Sequence, residues 1–163
     1  MATALFVDYL LSSLQYYGID PQSIVIQTDN GKEFTNPTDR KVTLFEKLVK
    51  EKYQATHFLI PYRRPTWNSD VESFHNLIEE EFFLSEKPNS EIDLLAKTFA
   101  YQIWFNSFRN NRGRNNQNPE QIFQSELNTM KPLPVIPPIL VDKYIQLIAK
   151  DNEVGYFLPL PPS

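Results

Sequence analysis

The sequence predicts an α/β domain, and three observations carry that prediction. Ser23 to Gln27 is a run of branched and apolar residues, and Asn30-Gly31 behind it is a strong turn signal. A stretch with apolar residues at helical spacing follows, and then "ATHFLIP", Ala55 to Pro61, reads as a second short strand. Strand, helix and strand in that order point to an α/β sheet. With 163 residues, 41% of them hydrophobic and 13% aromatic, the chain has material for a sizeable core.

Taken in order, residues 3–17 are mostly apolar or aromatic without Gly or Pro and stop at Gly18, the pattern of a largely buried helix with a glycine stop. "IDPQ" turns into the first strand, whose composition suggests burial on both faces. From about Asp39 to Tyr53, Val42, Phe45, Leu48 and Val49 recur among Lys and Glu, giving an amphipathic helix. After the second strand, "PYRRPTWNSD" is a loop punctuated by Pro61 and Pro65. A helix from about Ser69 to Leu84 follows, with Val71, Phe74, Ile78 and Phe82 as its buried stripe. Asn89-Ser90 caps another, which carries Ile92, Leu95, Ala96, Phe99 and Ile103 inward and ends near Phe108. Beyond the loop "RNNRGRNNQ", Asn118 and Pro119 form a cap and first-turn proline for a short helix to about Glu126. Seven of the 13 prolines lie between Pro132 and Pro162, around one helical stretch, Ile139 to Ala149. Residues 1–130 are thus expected to form the core and 131–163 a Pro-rich C-terminal extension, packing on the domain or reaching a neighbour.

Charge and composition exclude several classes. The chain has no cysteine, so disulfides and thiolate metal sites are out, and a reducing cytoplasm is the expected location. No Lys or Arg precedes Lys32, Asp8 interrupts the apolar opening and no cleavage pattern follows, which argues against a signal sequence; the run is also too short and polar to span a membrane. The net charge of −4 disfavours nucleic-acid binding over the whole surface. The charge is uneven, however: residues 32–70 carry +3 and 101–131 carry +2, against −5 over 71–100. A basic stripe beside an acidic cluster is compatible with DNA, and the cluster is either a solvated helix face or a collector of divalent cations.

Two acids stand out. Asp29 falls at the carboxyl end of the first strand, where it either closes the Asn-Gly turn through its own backbone or binds a metal. Glu72 falls in the first turn of the Ser69 helix, where it either completes a capping box with Ser69 or points past the buried face toward a strand end. His75 and Asn76 share its side of the helix. If both acids converge, their hard oxygens suit Mg²⁺ or Mn²⁺. Such carboxylates serve two-metal phosphoryl transfer, with ions roughly 3.5–4 Å apart activating the attacking oxygen and stabilising the leaving one.

The segments "QTDNGKEF" and "NSDVESFHNLIEEEF" together resemble the catalytic core of insertion-sequence transposases and retroviral integrases, the DDE recombinases of the ribonuclease H-like superfamily. The family's second acid stands in a T-D-N-G-x-E-F context, here Thr28 to Phe34, and its last acid in an N-x-x-x-E-S-F/M setting, here Asn68, Glu72, Ser73 and Phe74. "WFNSFRNNRGRNNQNPEQIF" also resembles the family's stretch after the catalytic helix, so the likeness covers about residues 3–126. It implies a helix-rich α/β ribonuclease H-like integrase core that cuts and joins DNA as a multimer. Asp29 and Glu72 would be catalytic and would hold Mg²⁺ or Mn²⁺. The partners would be the ends of the mobile element and its target, with no membrane.

The chain departs from the family in two ways. Between Asp29 and Glu72 lie 42 residues, longer than the family's best-known spacing, an excess that fits a surface insertion around "TNPTDRKVTLF". The family's first aspartate stands on an earlier strand, whereas this sequence opens at the helix preceding T-D-N-G; the expectation is a core lacking its first strands, with little or no activity alone. Asp8 does not replace that aspartate, because the 20 residues between it and Asp29 leave no room for the intervening strands. A sheet without those strands exposes an edge, so self-association, including strand exchange, is expected.

Around the acids, Lys32, Arg63, Arg64 and Trp67 are candidates for phosphate contact and base stacking, or else ordinary loop charge and a packed aromatic. Arg109, Arg112 and Arg114 either track a DNA backbone or pair with acids such as Glu120. Asn30 and Asn68 are read as shaping the site and His75 as assisting it, with helix capping for Asn68 and plain exposure for His75 as the alternatives. Glu79, Glu80 and Glu81 read as a solvated face. Two rival functions remain: a non-catalytic DNA-binding or oligomerisation remnant, and a ribonuclease H-like nuclease that hydrolyses without joining.

Overall fold

A computed structural model describes residues 2–36, 41–61, 67 and 69–151. The chain divides into two compact units, Met1–Leu59 with Ile139–Ser163, and Ile60–Pro138.

In the first unit, helix α1 (Ala2–Tyr16) buries Ala4, Val7 and Leu11, which recur at helical spacing along one face. Gly18, at φ +80°, ends it. The Ile19 amide reaches the Leu14 carbonyl at 3.0 Å and the Gly18 amide reaches that of Gln15 at 2.9 Å, a Schellman closure that needs a left-handed residue. Asp20 then caps a short 3₁₀ turn, Pro21–Ser23, that leads into strand β1 (Val25–Thr28).

The next helix, α2, spans Leu44–Glu46 and widens into a π-helical segment, Lys47–Lys52. The expected start near Asp39 lies outside the described residues. Val42, assigned to the buried stripe, is instead 54% exposed and precedes the helix. The reason is local: Thr43 and Glu46 form a reciprocal capping box, and that pair sets the first turn. Phe45 and Val49 are buried as expected.

Strand β2 (Thr56–Leu59) pairs in parallel with β1, Val25 opposite Thr56 and Thr28 opposite Leu59. The predicted strand–helix–strand unit is therefore present, and the protein is a helix-rich α/β protein whose described sheet has two strands. β1 is not buried on both faces. Ile24 and Ile26 pack on the cluster of Ala4, Val7, Leu11, Phe45, Val49, Tyr53 and Ala55, whereas Val25 on the opposite face is 63% exposed. Apolar composition alone does not count the layers that cover a strand.

Asp8 is fully explained by this packing. On α1 it accepts bonds from Lys52 Nζ at 2.7 Å and the Tyr53 hydroxyl at 2.8 Å, tying α1 to the end of α2. Helix α6 (Val141–Asp151), near the predicted Ile139–Ala149, also lies on α1, where Tyr144 packs edge-on against Tyr9 at 5.6 Å. Helix α6 thus packs on α1 within the first unit.

The second unit is helical. Helix α3 (Ser69–Ile78) continues as a π-helical turn, Glu79–Phe83, and α4 (Glu91–Ser107) starts at the predicted Ser90 cap. Helix α5 (Pro119–Glu126) begins as predicted with Asn118 as cap and Pro119 in the first turn. Asn118 also donates to the Ser107 carbonyl at 2.7 Å, so one side chain starts α5 and anchors it to the end of α4.

Two predicted stripes differ. On α3, Phe82 is buried, but Val71 and Phe74 are 46% and 43% exposed. On α4, Ile92 is 81% exposed and Ala96 and Phe99 are exposed; Tyr101 and Phe105 turn inward instead, Tyr101 meeting Phe82 at 5.2 Å and Phe105 meeting Phe74 at 5.5 Å. Aromatic area alone does not set the rotation of α4, since Phe99 is exposed; ring contact with Phe74 and Phe82 selects Phe105 and Tyr101. Among the described residues no helix is long and apolar enough to cross a membrane.

Candidate metal and nucleic-acid site

The loop after β1 is held at both ends. At its start, Asp29 Oδ1 accepts the Gly31 amide at 2.9 Å, the self-closing turn that Asp before Asn-Gly allows. At its end, Phe34 packs edge-on against Phe45 at 5.1 Å, and its carbonyl accepts from the Thr43 hydroxyl at 3.1 Å. The final Phe of the T-D-N-G-x-E-F segment is thus the anchor that seats the loop on the core.

Within that loop, turn closure occupies only one oxygen of Asp29, and the side chain is exposed. Turn closure and metal binding are therefore compatible. A Cβ on Gly31 would meet the Glu33 carboxylate at 2.8 Å and Asp29 Oδ1 at 3.0 Å, so both carboxylates crowd over the glycine from one side. Glu33 had no role in the sequence reading. Its signal was the acid four residues after Asp29 in a turn that folds back on itself. Hard, exposed carboxylate oxygens are the donor type Mg²⁺ and Mn²⁺ accept, so the chemistry of this end fits such an ion. Lys32 and Asn30 are exposed beside it.

Glu72 lies exposed in the first turn of α3, with His75 and Asn76 exposed at the following helical positions. Asp29 belongs to the first unit and Glu72 to the second, and each is defined within its own unit. Among the described residues no three His, Cys, Asp or Glu side chains form a ready metal-ligand group. Trp67 is 48% exposed, while Arg63, Arg64 and Asn68 lie outside the described residues.

The three arginines after α4 separate into two kinds. Arg109 pairs with Glu81 rather than Glu120: its Nε lies 2.8 Å and 2.9 Å from the two oxygens of Glu81, and its Nη2 bonds Glu81 as well. Tyr101 donates its hydroxyl to the same carboxylate at 3.0 Å. Glu120 is engaged elsewhere, accepting the Leu133 amide at 3.3 Å. Glu81, read as part of a solvated face, is a structural anion. It falls three residues after Ile78 on the α3 stripe, and that position was the available signal. Arg109 and Tyr101 hold the Glu81 carboxyl below its ordinary range. Burial, then the neighbouring Glu81, pushes the Tyr101 hydroxyl up to about 12.

Arg112 and Arg114, by contrast, are exposed and form no ion pair among the described residues. They sit on a 3₁₀ turn, Arg112–Arg114, shaped by Asn111, whose side chain accepts the Gly113 amide at 3.0 Å. Asn115 and Asn116 follow at φ 56° and 59°, left-handed conformations that asparagine tolerates better than most residues. The loop is an ordered mount for two uncommitted guanidinium groups.

His57, on β2, was also missed. Its Nε2 lies 2.8 Å from Thr28 Oγ1, one residue from Asp29, and its ring packs edge-on against Phe45 at 5.1 Å. Burial, reinforced by Lys50, holds its pKa below the usual histidine value. No protein-family model matches the chain, and no curated protein or solved structure matches it either.

Proposed function

We propose that this chain is the catalytic core of a DDE-type transposase or integrase, a ribonuclease H-like polynucleotidyl transferase that uses Mg²⁺ or Mn²⁺ to cut and join DNA. The observation that carries the reading is the exposed Asp29 carboxylate at the carboxyl end of a parallel strand, on a loop anchored by Phe34. Asp29 and Glu72 would hold the ion, which supplies Lewis-acid activation of the attacking oxygen. By resemblance, a first aspartate on an earlier strand completes the acid set, and the enzyme acts as a multimer. Arg112 and Arg114, with Lys32 and Trp67, would contact the DNA. Asn30, Asn68 and His75 would support the acids, and Arg63 and Arg64 would join the DNA contacts.

The test is nicking and joining of a pre-cut DNA end with Mn²⁺ by the protein. Joined product that is lost in both Asp29→Asn and Glu72→Gln is the expected result. Cutting without joining would identify a nuclease of the same superfamily. Salt-sensitive DNA binding with no metal-dependent product would leave only a DNA-binding or oligomerisation remnant.

A further inference from the structure

Thr28 has one hydroxyl hydrogen and two neighbours. Its Oγ1 lies 3.0 Å from the Asp29 carbonyl, which can only accept, and 2.8 Å from His57 Nε2; we assign that one hydrogen to the carbonyl, so that Oγ1 accepts from Nε2. The proton of a neutral His57 is therefore on Nε2, and Nδ1 carries a bare lone pair. Among the described residues, buried Nδ1 has no hydrogen-bond partner. An N–H at that position would be a buried, unsatisfied donor, which opposes both the other tautomer and the charged ring. Phe45, only 2% exposed, fixes the plane of the imidazole from its edge. The result is a relay running from β2 through the Thr28 side chain to the backbone of Asp29.

We propose that His57 is a positioning residue for Asp29, acting through Thr28 to hold the tip of β1 in the geometry that presents the free carboxylate oxygen. This rests on the reading of Asp29 as a metal ligand. β1 has four residues and an exposed outer face, and its ladder with β2 ends at the Thr28–Leu59 pair, so the Thr28–His57 contact adds a side-chain tie at the last rung. The loop is gripped on its far side by Phe34 and Phe45; His57 and Thr28 supply the grip on the near side. A carboxylate that must meet an ion at a fixed distance needs both.

Mn²⁺ binding to the full chain, followed by electron paramagnetic resonance, tests this with Asp29→Asn as the control. Thr28→Val and His57→Phe should each weaken binding about tenfold, the scale of lost outer-shell support. The double variant should bind no worse than either single one. Thr28→Ser, which keeps the hydroxyl, and His57→Gln, whose amide nitrogen reaches the position of Nε2, should restore binding and exclude a folding defect as the cause. Nitrogen NMR of the imidazole at neutral pH should show the proton on Nε2. If Asp29→Asn weakens binding but Thr28→Val and His57→Phe do not, or if their losses add, the positioning role is overturned while the functional reading stands. Unchanged binding in Asp29→Asn overturns that reading and the proposal with it. A proton found on Nδ1 overturns the relay whatever the metal does.

Discussion

Arg109→Met tests whether the second unit is closed by one polar lock. The substitution keeps a long side chain beside Phe105, over whose ring the guanidinium carbon now sits at 5.4 Å, but deletes every donor to Glu81 except the Tyr101 hydroxyl. The Arg109 and Glu81 side chains are 21% and 26% exposed, between the solvated pairs worth about 0–1 kcal/mol and the buried ones whose disruption costs about 3–5 kcal/mol. We expect a loss of about 2 kcal/mol, a fall of about 1 M in the urea midpoint for a slope of about 2 kcal/mol per M. Trp104, on α4 within the same unit, reports the transition by fluorescence, with Trp67→Phe as the background. The sign with pH follows from Glu81, whose carboxyl is held low in the folded state by Arg109 and Tyr101. The stabilisation is complete above the ordinary carboxylate pKa and is lost as pH falls through the depressed folded value, so wild type and variant converge in acid. At the alkaline end the raised Tyr101 has the opposite sign: its contribution is complete below pH 10.0 and is lost as pH approaches about 12. A midpoint shift under about 0.2 M at neutral pH would refute the lock, because even a half-solvated bidentate pair should register above that.

Arg112→Ala with Arg114→Ala should leave the urea midpoint unchanged, weaken DNA binding and lower its salt slope by about 1 for each lost phosphate contact; a filter-binding titration in salt reads it. Leu11→Ala empties a position with 0% exposure and should cost about 2–5 kcal/mol in chemical unfolding of the first unit. Gly18→Ala meets no atom within 4 Å but keeps a left-handed backbone, so its loss of about 1 kcal/mol in the same assay is conformational, and Gly18→Asn should recover part of it. Asn118→Ala removes the α5 cap and its tie to Ser107, and should cost about 1–2 kcal/mol by thermal unfolding.

Where a local chemical rule decides the outcome, the fold was legible in the sequence. Gly18 ending α1, Ser90 starting α4 and Asn118-Pro119 starting α5 each depend on a few neighbouring residues, and all three stand where their side chains predict. Helix rotation is a different kind of property. Ile92 and Phe99 are spaced as well as Tyr101 and Phe105 for an inward face, and only contact with Phe74 and Phe82 decides between them. Periodicity gives the existence of a stripe, whereas the partner surface chooses which stripe is buried.

The same distinction explains what was legible at the candidate site. Asp29 was visible because turn chemistry places it, and the turn forms with Gly31 as that chemistry requires. Glu81 and His57 were not, since each acquires its role from a partner distant in sequence: Arg109 lies 28 residues from Glu81, and Thr28 lies 29 from His57. Each nevertheless leaves a trace: His57 is a polar group beside Phe58 on a strand with a buried face, and Glu81, last of three consecutive glutamates, falls on the α3 stripe next to Phe82. A buried polar group left without a partner is costly, so such a residue predicts that a partner exists even when it cannot name one. Arg109 shows the converse. Among three arginines of one loop, the one answering an acid on the inner side is committed to structure, and the two that pair with no acid among the described residues stay exposed.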